Sequence, residues 1–280
     1  MNYRHVFHAG NFADILKHIV LARCIEHLKR KDKAFRIIDT HAGIGLYDLS
    51  SDQAQRTGEW RDGIGRITKE EFSADVAGLI APFLNAVGAV NDNGVMTAYP
   101  GSPMVSRFLM RPQDRLSAIE LHPKDSQALK ARFAGDWQVR IIELDGWLAL
   151  GAHVPPKEKR GLVLVDPPFE QPGEFDRMID GVAKAVKRWR GGTYALWYPI
   201  KDRPAVEQFR RRLAEGGFGE GLDISLLIRE PSASPPRLDG CGMAVINPPY
   251  TLAGDMATIL PEIGRLLSED GKARCAIQPF

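Results

Sequence analysis

The segment Gly161-Leu162-Val163-Leu164-Val165-Asp166-Pro167-Pro168-Phe169 limits the possible folds more than any other stretch of the chain. Four apolar residues in a row, without alternation, suit a strand covered on both faces, as in a parallel sheet between two layers of helices. The run stops at a carboxylate, then at two prolines that fix φ and remove backbone donors, then at an aromatic ring. A stiff polar loop at the carboxyl end of a buried parallel strand lies where open α/β sheets bind their ligands. A four-residue pattern also occurs in ordinary strand-to-loop turns, so its meaning depends on its companions.

Those companions are regular. Apolar, strand-like runs at residues 37–38, 116–121, 139–144, 162–165, 193–197, 224–228 and 243–246 alternate with helical stretches, which predicts a doubly wound α/β sheet of seven strands. With 280 residues and 44% apolar content, the chain can bury one large core and a small insertion. Glu120 follows Gly45 by 75 residues, far more than one strand-to-strand crossover needs, so an inserted helical subdomain of roughly 50 residues is expected. It is assigned to residues 46–96, with a helical apolar pattern through Phe72, Val76, Leu79, Ile80 and Phe83, leaving residues 1–45 and 97–280 for the main domain. Beyond it Ser102 reads as an N-cap and Pro103 as a first helical residue, and residues 231–236 as a loop.

The formal net charge of +2 excludes a polycation that coats nucleic acid indiscriminately. Local basic clusters stand out instead: Lys29, Arg30, Lys31 and Lys33; Lys157, Lys159 and Arg160; Lys184, Lys187, Arg188 and Arg190; Arg210, Arg211 and Arg212. The first residues are polar, unlike a secretory signal, and no apolar run has membrane-spanning length, so a cytoplasmic protein without membrane attachment is expected. Cys24, Cys241 and Cys275 are odd in number and lack metal-ligand spacing, which fits a reducing compartment and no metal site.

Chemistry enters with the first strand. Asp39-Thr40-His41-Ala42-Gly43-Ile44-Gly45 is a strand end followed by a glycine turn that permits close approach of a ligand. It has neither the third glycine nor the later acid of a dinucleotide fingerprint, and the spacing suits S-adenosylmethionine. Asp39, Glu120, Asp145 and Asp166 all end predicted strands. Glu120 could accept ribose hydroxyls and Asp145 an adenine amino group, with Gly146 leaving room for the ring, although any one of these acids could equally cap a helix. An exocyclic aromatic amine is a poor nucleophile, and acceptors that hold its hydrogens favour a more tetrahedral nitrogen. Asp166 and the Pro167 carbonyl supply two such acceptors, and Phe169 a stacking face. Asn11 reads as the cap of a helix whose apolar stripe is Phe12, Ile15, Leu16 and Ile19; His18 on that helix could reach a cofactor carboxylate. Val245-Ile246-Asn247-Pro248-Pro249-Tyr250 repeats the proline motif, but it ends a seventh, antiparallel strand away from the cofactor, so Asn247 is read as structural.

Taken as a set, these residues resemble a known family, the RlmJ-type 23S rRNA adenine-N6 methyltransferases. The likeness is carried by Tyr3-Arg4-His5 with Phe7-His8-Ala9-Gly10-Asn11, by Asp39-Thr40-His41-Ala42-Gly43, by Tyr99-Pro100-Gly101-Ser102-Pro103, by Glu120-Leu121-His122-Pro123, by Ala195-Leu196-Trp197-Tyr198-Pro199 and by Ile246-Asn247-Pro248-Pro249. The resemblance implies a Rossmann-like seven-stranded methyltransferase fold and a monomer that uses S-adenosylmethionine on an adenine of 23S rRNA, free or in an early assembly particle. It further implies cofactor contacts from His18, His41, Gly43, Ser102, Glu120, Asp145 and Gly146, catalysis by Asp166 with Pro167 and Phe169, RNA contact by Tyr3, and no metal. Phe169 departs from the family's usual Tyr: stacking survives the change, a hydroxyl contact does not. The same motifs also serve DNA adenine or protein glutamine methylation, and a non-catalytic RNA-binding factor on the same fold is the alternative of another class.

Overall fold

The computed structural model describes residues 5–92, 94–230 and 237–280; Tyr3 and the loop expected at residues 231–236 lie outside them. After a 3-10 turn at His5–Phe7, α1 (Phe12–Lys29) leads into β1 (Arg36–Asp39). The short strands β2 (Leu46–Asp48) and β3 (Ala98–Pro100) pair antiparallel and bracket α2 (Asp52–Thr57), α3 (Glu59–Asp62), α4 (Ile64–Ile67) and α5 (Ala74–Gly88). The chain continues through α6 (Ser102–Leu109), β4 (Arg115–Ile119), α7 (Pro123–Arg132), β5 (Val139–Ile142), α8 (Gly146–Ala152), β6 (Gly161–Val165), α9 (Glu174–Arg188) and β7 (Thr193–Ile200). It ends with α10 (Arg203–Glu215), β8 (Gly221–Leu227), β9 (Gly240–Ile246), α11 (Leu252–Leu267) and β10 (Arg274–Pro279).

The main sheet has the order β10-β8-β9-β7-β6-β1-β4-β5. Strands β5, β4, β1, β6 and β7 are parallel, and β9 is antiparallel to both β7 and β8. Eight strands stand where seven were expected. The additional one, β10, pairs along its length with β8 at the sheet's edge and is only half-buried; its mixed sequence, Arg-Cys-Ala-Ile-Gln-Pro, has little of the apolar run that marks a central strand. The opposite extreme is β6, every residue of which is buried.

Helices cover both faces. One layer is built around α1 with α5, α6 and α11, the other from α8, α9 and α10. Between Phe12 and Leu28, α1 buries residues on every side, among them Ile15, Leu16, Ile19, Val20, Leu21 and Ile25, because the sheet, α5, α6 and α11 surround it. It starts as expected at Asn11, whose side chain accepts from the Ala13 and Asp14 amides, two of the donors a helix start leaves open. The helix that begins near residue 102 differs in detail: Gly101 is its N-cap, and Ser102 and Pro103 occupy its first turn.

Strand β1 lies between β4 and β6, and the connections leave it in opposite directions. A crevice opens at the carboxyl ends of strands where the order reverses in this way.

Candidate functional site

Register aligns the ends of three strands at that crevice. Asp39 of β1 stands level with Ala118 of β4 and Leu164 of β6, so Glu120 and Asp166 follow two residues beyond the same level. The turn after β1 uses left-handed backbone at Gly43 (φ +62°) and Gly45 (φ +84°), and a Cβ on Gly43 would come within 2.3 Å of the Tyr47 hydroxyl. The Gly43 amide donates to Glu120 Oε2 at 2.9 Å and the His122 amide to Oε1 at 2.7 Å, which fixes the Glu120 carboxylate against the glycine turn. Asp39 is fully buried. Its Oδ2 accepts from the Ser102 hydroxyl at 2.6 Å; the His41 amide also favours the carboxylate, while Oδ1 is a buried acceptor without a well-formed hydrogen bond among the described residues. Burial, with the nearby Asp166 charge adding to it against Ser102 and Lys17, raises the Asp39 pKa to about 7.

Asp145 caps α8, accepting from the Trp147 amide at 2.8 Å. Gly146 next to it has a tighter reason to be glycine than room for a ring: a Cβ would sit 2.2 Å from the Thr40 carbonyl and 2.8 Å from the His41 ring. His41 is half-buried, shares a 2.8 Å hydrogen bond with the Thr40 hydroxyl and packs against the edge of Trp147; desolvation lowers its pKa to about 3.

At the end of β6, Asp166 Oδ2 receives the Lys17 ammonium at 2.5 Å. Lys17 also reaches Asp14 Oδ1 at 2.8 Å, and Asp14 Oδ2 bonds to His5 Nε2 at 3.0 Å and accepts from the Gly10 amide at 2.8 Å. Burial works against the charge on Lys17, but Asp14 and Asp166 outweigh it and hold its pKa well above the usual range. A chain of polar side-chain contacts thus runs from residue 5 to the end of β6. Phe169, three residues on, takes a left-handed backbone (φ +51°) and meets Phe175 and Trp197 at 5.0 and 5.8 Å between ring centroids.

Residues 32–277 match the family model described as ribosomal RNA large subunit methyltransferase D, RlmJ. The chain belongs to this family. Two curated relatives, both named ribosomal RNA large subunit methyltransferase J, come from Escherichia coli and Haemophilus influenzae; they are 40% and 39% identical to it, over 99% of this chain and 98% of each relative. A crystal structure of protein LPL1258 from Legionella pneumophila superposes with a TM-score of 0.88 at 32% identity, covering 97% of this chain and 98% of that one.

In this RlmJ-family chain the residues picked from sequence fall into two groups. Around the ends of β1 and β4, Ser102 is hydrogen-bonded to Asp39 and Gly43 to Glu120, Gly146 lies against His41 with Asp145 next to it, and Asp166 follows the end of β6. His18, expected to reach a cofactor carboxylate, is 1% exposed; its Nδ1 pairs with the Tyr99 hydroxyl at 2.8 Å, and its ring stacks on Tyr99 at 5.5 Å. Burial, reinforced by Lys17, lowers its pKa to about 3, and Nε2 is buried without a partner among the described residues. Asn247 lies at the far end of the sheet, where its side-chain amide donates to the carbonyls of Arg190 and Gly192 at 2.8 Å. Lys17 is the residue that sequence reasoning passed over. The signal was an ammonium set among Ile15, Leu16, Ile19, Val20 and Leu21, where a buried charge demands a partner.

Proposed function

We propose that this chain is an S-adenosylmethionine-dependent methyltransferase that modifies N6 of an adenine in 23S rRNA, with Asp166, the Pro167 carbonyl and Phe169 handling the base. The observation that carries this reading is the position of Asp166: it ends the buried strand next to the glycine turn, within hydrogen-bonding distance of a buried lysine, in a chain of the RlmJ family.

The residues present fit the cofactor. Asp39 Oδ1 and His18 Nε2 are buried polar atoms left unsatisfied among the described residues, a state that costs about 1–3 kcal/mol each until a ligand or water meets it. Asp39, Glu120 and Asp166 end three neighbouring strands, and among the described residues only Asp166 of the three has an ion pair, with Lys17; that excess of acceptors suits a cation rich in donors. Glu120 and the turn at Gly43 would hold the ribose, Asp145 and His41 the adenine, and Asp39 with Ser102 the amino-acid part. When bound, the cofactor supplies an electrophilic methyl group. Lys17 holds one oxygen of Asp166 and orients the other toward the target amine, which rehybridises as its hydrogens are accepted by Asp166 and Pro167. Phe169, braced by Phe175 and Trp197, offers a fixed plane for a base drawn out of its stack. Positioning supplies the acceleration. Tyr3 is assigned to the RNA, residues 46–96 to an inserted helical subdomain, and the enzyme to the cytoplasm as a monomer acting on free RNA or an early particle.

The test is transfer of labelled methyl from S-adenosylmethionine to unmodified 23S rRNA by wild type and Asp166→Ala, with the product mapped by nucleoside mass spectrometry. N6-methyladenosine is expected from wild type, with a loss of at least about 100-fold in the variant. Transfer to duplex DNA or to a protein glutamine in place of RNA would overturn the substrate assignment.

A further inference from the structure

Helix α1 runs antiparallel to the parallel strands: Lys17 near its start meets Asp166 at the end of β6, while Lys33 just beyond it accepts through its carbonyl from Arg160, which precedes β6. Twelve residues of helix at about 1.5 Å each separate Lys17 from Lys29, so the end of α1 lies about 18 Å from the catalytic crevice, at the opposite end of the sheet. Members of three basic clusters remote in sequence lie there. Arg30, Lys31 and Lys33 follow α1, Lys159 precedes β6, and Arg190 precedes β7; all five side chains are exposed and form no ion pair among the described residues. The loop that carries the first three is fixed, because Arg111 and Arg160 donate to the carbonyls of Lys31 and Lys33 at 2.9 and 2.7 Å.

Two large aromatic rings are exposed at this same end. Tyr250 is 80% exposed, with the Arg30 guanidinium 5.5 Å from its centroid and His27 against it at 5.2 Å. Trp137, just before β5, is 69% exposed with Arg115 at 4.2 Å. Tyr250 closes the second proline motif, whose Asn247 takes a left-handed backbone (φ +50°) and is pinned to the start of β7. An exposed ring whose hydroxyl accepts from the Arg30 guanidinium, on a loop pinned to the start of β7 and amid cations without ion pairs, has the composition of a surface that stacks bases and holds phosphates.

We propose that this end of the sheet is a second RNA-binding face, which holds rRNA flanking the target: the lysines and Arg190 contact phosphates, and Tyr250 and Trp137 stack on unpaired bases. The proposal rests on the rRNA reading of the catalytic site. It gives the Asn-Pro-Pro-Tyr motif a task distinct from that of Asp-Pro-Pro-Phe, namely presenting a ring to RNA that the active site does not reach.

The test compares wild type with Lys31→Glu/Lys33→Glu and, separately, Tyr250→Ala/Trp137→Ala on full-length unmodified 23S rRNA and on a short RNA hairpin carrying the same target adenine. In each variant KM for the full-length RNA should rise about tenfold at unchanged kcat, while KM for the hairpin and cofactor affinity by calorimetry stay at wild-type values. The salt dependence of full-length binding should flatten by about 0.7–0.9 per lost phosphate contact. Unchanged KM on the full-length RNA overturns the face. An equal rise on both RNAs also overturns it, since the residues would then act at the target itself. If wild type methylates neither RNA, the catalytic reading fails, and that failure is seen in the wild-type reactions alone.

Discussion

Lys17 shows how much a single buried residue decides. Its ammonium stands between two carboxylates, and its side chain is 6% exposed. Lys17→Met would leave Asp166 without a cation and Asp14 with only His5 and the Gly10 amide, and breaking a buried pair from one side costs about 3–5 kcal/mol. That loss should appear in denaturant unfolding at pH 7. It should shrink toward pH 4, because the orphaned carboxylates can then take up protons, whereas in wild type the Asp14 pKa, held well below its usual value against burial, keeps its contribution down to lower pH. Asp39 has the opposite sign. Its pKa is raised to about 7, so the folded protein still holds roughly half a proton there at pH 7 while an unfolded aspartate holds almost none. A cationic ligand favours the carboxylate, so S-adenosylmethionine binding should release up to about half a proton at pH 7 and almost none at pH 8.5. Calorimetry in two buffers of different ionisation enthalpy measures this; pH-independent uptake would show that Asp39 does not face the ligand. Neither residue's state could be read from the chain, since both depend on burial that only the assembled helices create.

At the scale of elements, the two proline motifs have separated. The sequence places both after apolar strands, and the direction of the strand is what distinguishes them: β6 is parallel and ends at the crevice, whereas β9 is antiparallel and ends beside Arg190. Asn247→Gly keeps a residue that tolerates positive φ and removes two hydrogen bonds to carbonyls, so it should lower stability by about 1–3 kcal/mol and leave kcat unchanged. A loss of kcat without a loss of stability would place Asn247 in the chemistry. All seven strands expected from apolar runs are present, and the cap at Asn11 is where its sequence puts it. What escaped was of two kinds. Edge strands such as β10 have too little burial to leave a pattern, and Ser102 looked like a helix cap because serine commonly is one, when its hydroxyl serves Asp39 instead. At Gly146, the space visible in the structure is also bounded by the Thr40 carbonyl and the His41 ring, neighbours that no sequence pattern announces.

For the whole molecule, the sheet divides the core in two, and the layer holding α1 carries most of what the site depends on. Asp14, Lys17 and His18 lie in its first two turns, and the helix is enclosed by β-strands and three other helices. An element enclosed on all sides cannot open by itself, because each local release would expose the neighbours' apolar surface as well. Amides of residues 19–25 should therefore exchange with solvent only through global unfolding, with protection close to the full unfolding free energy and a matching denaturant dependence; exchange by a cheaper route would show α1 to be separable. Any adjustment that admits a base must then come from what surrounds the helix. In engineering terms α1 is a fixed axle: one residue inserted between Lys17 and Arg30 would turn one end by about 100° relative to the other, so Lys17 and the basic loop could not both keep their partners. The length of that helix, more than any single contact, sets the distance between the place where a methyl group is transferred and the place where the rest of a long substrate can be held.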